Sequence, residues 1–198
     1  MVKICGVTTA EDALASAEAG ASAIGLNFYP GSPRYLDFER ARAIGRCLNG
    51  GVLKVGVFVN ATPELLEQAV DAAGLDVVQL HGEVPSSVPA AVSVWRAYRA
   101  DERFSPELIA GVKADAILLD SAGPGFGGSG ETFDWEIARG LSAKLVLAGG
   151  LHASNVAEAI RIARPWGVDA CSKLESTPGR KDHKKVAAFI QAALKANT

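Results

Sequence analysis

The sequence predicts an α/β fold: a single compact (β/α)8 TIM barrel, eight parallel strands with surrounding helices, in one domain over residues 1–198. Three observations predict it. Short β-branched runs alternate with helical patterns along the whole chain. The runs are near-continuously apolar, as strands are when helices cover both faces of a parallel sheet. Eight such runs fit into 198 residues, so the connecting loops must be short. An open doubly wound sheet is the structural alternative, but no GxGxxG follows the first run.

In chain order the strands are VKICG (2–6), AIGLNF (23–28), LKVGVFV (53–59), VVQLHG (77–82), SVWRAYR (93–99), AILLDS (116–121), KLVLAGG (144–150) and GVDACS (167–172). Between them lie helices. Gly20 ends the first, since glycine accepts the left-handed conformation of a helix stop. Cys47 follows Ala43 and Ile44 on the apolar side of the second. Thr62-Pro63-Glu64 starts the third with a capping hydroxyl and a proline at the first helical position, and Gly74 ends it. The fourth, around Val84–Ala91, is short and poorly defined. Ser105-Pro106-Glu107 repeats the earlier start signal, and Asp134 caps the helix after strand six. Val156, Ala159, Ile160 and Ala163 recur at helical spacing after an entry near Ser154-Asn155. Val186, Phe189, Ile190, Ala193 and Leu194 do the same near the C-terminus.

Composition narrows the function. Lys plus Arg number 20 against 22 Asp plus Glu, so no basic surface is available to nucleic acid. Arg180-Lys181 with Lys184-Lys185 reads as a solvated loop and helix face. No apolar run reaches the ~20 residues of a membrane span, and no secretory signal opens the chain. Cys5, Cys47 and Cys171 are odd in number and widely spaced, which points to a reducing, cytoplasmic compartment. No CxxC or HxxxH spacing offers a metal site.

In a barrel of this type chemistry happens at the carboxy-terminal ends of the strands. Those ends carry Cys5, the loop Tyr29–Tyr35 with Arg34, Asn60, His81, Arg96 and Arg99, Asp120, Gly149-Gly150, and Asp169 with Ser172 and Lys173. A thiol, an imidazole, a carboxylate and several cations therefore share one face. The LAGGL and ACSKLES segments at strands seven and eight suit a phosphate, because glycine lets backbone N–H groups approach an anion. A plain tight turn is the simpler account of a lone GG.

The segments KICGVT, SPRY, VGVFVN, VQLHG, LLDS, GGSGETFDW, LAGGL, NV, VD and PGRKD occur in this order over nearly the full length. Together they resemble the phosphoribosylanthranilate isomerase family of tryptophan biosynthesis. The resemblance implies a (β/α)8 barrel and an Amadori rearrangement of a small phosphosugar–anthranilate substrate. It implies no cofactor, no metal, no nucleic-acid or membrane partner, and a monomer or homodimer.

Ring opening needs a general acid on the ring oxygen, and the resulting iminium needs a general base to remove its C2 proton. By the resemblance Cys5 is the base and Asp120 the acid, three strands apart across the mouth. A free thiol titrates at ~8.5 and a free Asp at ~3.9, so these roles call for a lowered and a raised pKa. Lys3, two residues before Cys5 on the same strand face, is expected to favour the thiolate. For Asp120 an apolar wall or nearby negative charge would serve. Arg34 is expected on the anthranilate carboxylate, which a guanidinium fork suits. Gly149, Gly150, Ser172 and Lys173 are expected on the phosphate. His81 either touches substrate or orients a neighbour. Asp169 is read as a structural partner inside the barrel, and Cys47 and Cys171 as packing residues. Gly123–Gly130 holds five glycines and is read as a lid.

Two departures stand out. CSKLE replaces the family's usual SSGVE, so Lys173 stands where a glycine is usual. Lysine is strained there if the glycine served a positive φ; otherwise it turns outward or pairs with phosphate. HASNV also lacks the family's usual proline and glutamate, which bears on capping alone. Three rival readings remain: the histidine-pathway aldose–ketose isomerase, a Schiff-base aldolase using Lys173 or Lys3, and a non-catalytic phosphosugar-binding barrel.

Overall fold

The computed structural model describes residues 1–48, 50–121 and 132–196. Eight parallel strands close into a barrel in sequence order: β1 (Val2–Ile4), β2 (Ala23–Asn27), β3 (Leu53–Val59), β4 (Val77–His81), β5 (Ser93–Ala100), β6 (Ala116–Ser121), β7 (Leu145–Leu147) and β8 (Gly167–Ala170). Closure comes from β1 pairing with β8, with Lys3 opposite Asp169 and Ile4 opposite Ala170. A small antiparallel pair, β9 (Glu175–Thr177) and β10 (Arg180–Lys181), follows β8.

Helices α1 (Ala10–Glu18), α2 (Phe38–Cys47), α3 (Pro63–Ala73), α4 (Val156–Ala163) and α5 (His183–Ala196) pack outside. Local chemistry accounts for their ends. Thr9, Asp37 and Thr62 each accept a hydrogen bond from a first-turn N–H of α1, α2 and α3. Gly74 ends α3 at φ 61°, where other residues are strained. The outer core lies between this shell and the strands, and includes Ile24, Leu26, Leu80, Leu119 and Phe189.

Three expected helices do not form. Val84–Ala91 is irregular, because Pro85 and Pro89 lack the N–H that a short helix needs. Ser105-Pro106-Glu107 yields one 3-10 turn (Pro106–Leu108), soon broken by Gly111 at φ 76°. Asp134 caps, as expected, but again only a single turn (Trp135–Ala138). The Gly123–Gly130 segment lies outside the described residues.

Strand residues that face the axis stack in layers. Ala23, Val55, Val77, Trp95, Ala97, Ala116, Leu118, Val146 and Ala148 form an apolar plug. Lys3 and Asp169 meet beside it, and Cys5 lies two residues farther along β1's direction, at the rim. The barrel is therefore a packed floor with its polar chemistry raised to one end.

Candidate active site

A cavity of about 320 Å³ opens at the carboxy-terminal rim. Every site residue expected from the sequence lines it: Cys5, Arg34, His81, Asp120, Gly149, Gly150, Ser172 and Lys173. Asp169 and Cys171 line it too. Arg96 does not; it is buried at the outer side of β5, where its Nη2 donates to the Gly82 carbonyl at 3.0 Å.

At the floor the Lys3 ammonium is fully buried and donates to Asp169 Oδ2 at 2.9 Å. Burial opposes the charge on Lys3, yet Asp169 and Cys5 outweigh it and hold the lysine protonated. Burial pushes the Asp169 carboxyl upward against the pull of Lys3. Gly25 on the next strand makes room: a Cβ there would lie 2.8 Å from Cys5 Sγ and 3.2 Å from Lys3 Nζ.

The thiol behaves differently from the sequence expectation. Lys3 does pull Cys5 towards the thiolate, but a hydrogen bond with Cys171 and burial win, and the Cys5 pKa lies well above the usual thiol value. Cys171, expected to pack, adjoins Cys5 and is held below the usual value by it, with Lys181 and Arg34 assisting. No local signal marks Cys171; the β1–β8 pairing that closes the barrel brings it there.

Across the mouth, burial raises the Asp120 carboxyl to about 6, with the Asp169 charge adding to the shift. Burial is the larger cause, ahead of the nearby negative charge anticipated from the sequence. His81 is driven down to about 4 by burial and then by Lys3, Arg96 and Arg99, so it is neutral at physiological pH. Its Nε2 lies 2.8 Å from Gln79 Nε2, which makes the imidazole nitrogen the acceptor and leaves Nδ1 as donor.

Arg34 enters from the loop after β2, where Ser32 Oγ accepts its backbone N–H. Its Nε and Nη2 both reach Glu175, at 2.8 and 2.7 Å. The fork expected for a substrate carboxylate is thus spent on Glu175, and the Nη1 side remains for a ligand. Glu175 also accepts from Lys181 Nζ at 3.0 Å. Burial works against the Glu175 charge, but Arg34 and Lys181 hold its carboxyl below the ordinary range.

The strand-seven turn is built for close approach. Gly149 and Gly150 have φ of 87° and 61°, and a Cβ on Gly149 would lie 2.5 Å from the Ser121 backbone nitrogen. Asn155 stands at the start of α4 without capping it; its Nδ2 donates to the Gly150 carbonyl and its Oδ1 accepts from His152 N–H. Facing this turn, Ser172–Leu174 forms a 3-10 turn after β8, the place where barrels commonly add a short phosphate-binding helix. Lys173 is exposed at the cavity and is not in the positive-φ region, so the exchange of glycine for lysine introduces no backbone strain.

Chemistry raised to the strand ends above a packed floor defines a (β/α)8-barrel enzyme acting on a small molecule. Comparison with known proteins narrows the class. Residues 2–192 match the family of N-(5'-phosphoribosyl)anthranilate (PRA) isomerases. A relative from Solibacter usitatus, an N-(5'-phosphoribosyl)anthranilate isomerase, is 48% identical over 195 residues, covering 98% of this chain and 96% of its own. The phosphoribosylanthranilate isomerase structure from Thermotoga maritima superposes with a TM-score of 0.90 at 42% identity, covering 98% of both chains. A further phosphoribosyl anthranilate isomerase structure, 40% identical with a TM-score of 0.87 and 98% coverage of both chains, holds reduced 1-(o-carboxyphenylamino)-1-deoxyribulose 5-phosphate. The chain belongs to the phosphoribosylanthranilate isomerase family. Its reaction is the isomerisation of N-(5'-phosphoribosyl)anthranilate in tryptophan biosynthesis.

Proposed function

We propose that this rearrangement runs by general acid–base catalysis, with Asp120 as the acid and Cys5 as the base. Asp120 gives its proton to the ribose ring oxygen as the C1–O bond breaks, and the anilino nitrogen becomes an iminium. That cation acidifies the C2 proton, which Cys5 takes; the electron pair forms the enamine, and tautomerisation gives the ketone. The observation that carries this reading is the Asp120 carboxyl, raised to about 6 by burial in the cavity that Cys5 also lines. A carboxyl so poised keeps a usable protonated fraction near neutrality, as a general acid must. Cys5 acts as the thiolate, in the minor form that pairs it with protonated Asp120; this form carries the same number of protons as the dominant Asp120-carboxylate, Cys5-thiol form.

The phosphate rests on the backbone of Gly149 and Gly150, on Ser172 and on Lys173. The anthranilate carboxylate meets the Nη1 side of Arg34, whose orientation Glu175 fixes. Neutral His81 offers Nδ1–H to the sugar. The three free cysteines fit a reducing cytoplasm. The domain is a single barrel, and it acts as a monomer or homodimer.

The test follows the fluorescence of freshly generated phosphoribosylanthranilate with wild type, Cys5→Ser and Asp120→Asn. Rapid decay in the wild type and losses of roughly 10²–10⁴ in each folded variant are expected. Near-normal turnover by either variant refutes the role of that residue.

A further inference from the structure

The Cys5–Cys171 pair has no counterpart in the reaction as written. The register that sets Lys3 against Asp169 continues upward, with Cys5 N–H donating to the Ala170 carbonyl at 2.9 Å. Cys5 and Cys171 are thereby neighbours on adjacent strand ends, and both line the cavity at the rim. Register partners in a sheet lie within the 4.4–6.8 Å Cα separation that a disulfide spans. Cys171 is partly open to the cavity and has Lys181 Nζ 3.8 Å from its sulfur.

We propose that Cys5 and Cys171 form an oxidation site for small peroxides, at which a reversible disulfide bridges the two strand ends and removes Cys5 from catalysis. The inhibition, though not the bridge, rests on Cys5 being the base. Charges facing the pair favour attack from Cys171: Lys181 and Arg34 lie on its side, with Glu175 opposing them, while Lys3 and Asp169 sit beneath Cys5. The Cys171 thiolate attacks peroxide; the O–O bond breaks, sulfenic acid forms, and hydroxide leaves. That hydroxide takes the Cys5 proton, and the Cys5 thiolate attacks the sulfenic sulfur, expelling a second hydroxide, which is protonated to water. Two thiols lose two electrons in all, and peroxide is reduced to two waters. Cys47, bonded to the Ile44 carbonyl and raised by burial, serves as an internal control.

The reduced protein is treated with hydrogen peroxide, alkylated, digested and analysed by mass spectrometry while activity is followed. A peptide linking Cys5 to Cys171 is expected, together with an activity loss of about the hundredfold or more that a general base contributes, restored by dithiothreitol. In Cys171→Ser, normalised to its own starting activity, the linked peptide must vanish and dithiothreitol must no longer restore what peroxide removes. Separate sulfonic acids on the two residues, or oxidation at Cys47 alone, overturn the proposal. A quantitative bridge with full activity upholds the oxidation site and overturns Cys5 as the base.

Discussion

Asp120→Asn separates what the acid does for catalysis from what its burial does to the fold. The folded carboxyl titrates at about 6 against 3.8 for the free group. The raised value means that protonated Asp120 is compatible with the folded state, and that its ionisation opposes folding. The wild type therefore loses stability as pH rises from 3.8 through about 6, and nothing further above that. Asparagine matches the carboxyl in shape, keeps an acceptor for the Ser121 N–H and never ionises. The gap between the folded and free values corresponds to a gain of up to about 3 kcal/mol for the variant near pH 8, and to well under about 1 kcal/mol near pH 4. For a chain of this length the larger figure raises the melting temperature by roughly 6–12 °C. Urea unfolding of both proteins at the two pH values, with turnover measured alongside, checks it. The expected result is an almost inactive variant that is more stable than wild type, by a margin that grows with pH. A margin that does not change with pH, or a destabilised variant near pH 8, refutes burial as the origin of the raised Asp120 value.

The protonation states also shape the pH profile. With the acid at about 6 and the base well above the usual thiol value, kcat/KM should rise through about pH 6, stay level, and fall only in the alkaline range. Lys3→Met removes the charge that favours the Cys5 thiolate, so the alkaline limb moves higher; it also strands a buried Asp169, at a cost of about 3–5 kcal/mol that Lys3→Met/Asp169→Leu should largely recover in urea unfolding. Gly25→Ala places a methyl 2.8 Å from Cys5 Sγ, and should lower kcat and destabilise the fold by about 1–3 kcal/mol, read by turnover and thermal melting. Lys173→Gly removes the exposed ammonium at the cavity; KM for the phosphorylated substrate should rise several-fold, with kcat little changed and the salt dependence of KM reduced.

How much of this was legible beforehand depends on the range of the interaction. Apolar periodicity, proline starts and glycine stops are local, and they yielded eight strands in order and the helices after β1, β2, β3, β7 and β8. The same signals overstated the middle of the chain: Ser105-Pro106 marks a helix start, yet only three residues follow in a turn. Motif positions located the rim residues, since a strand end is a local property and the barrel sends every strand end to one face.

What the sequence determined by itself was the repeating βα architecture and the identity of the groups at the mouth. Tertiary structure decided the charge states and partners of those groups. Lys3 and Asp169 are 166 residues apart, and Arg34 and Glu175 are 141 apart. Only closure of β1 onto β8 brings the ends of the chain together, setting Cys171 against Cys5 and Glu175 on the fork of Arg34. A pKa depends on the dielectric and on charges a few ångströms away, and the linear order of residues specifies neither until the barrel has closed.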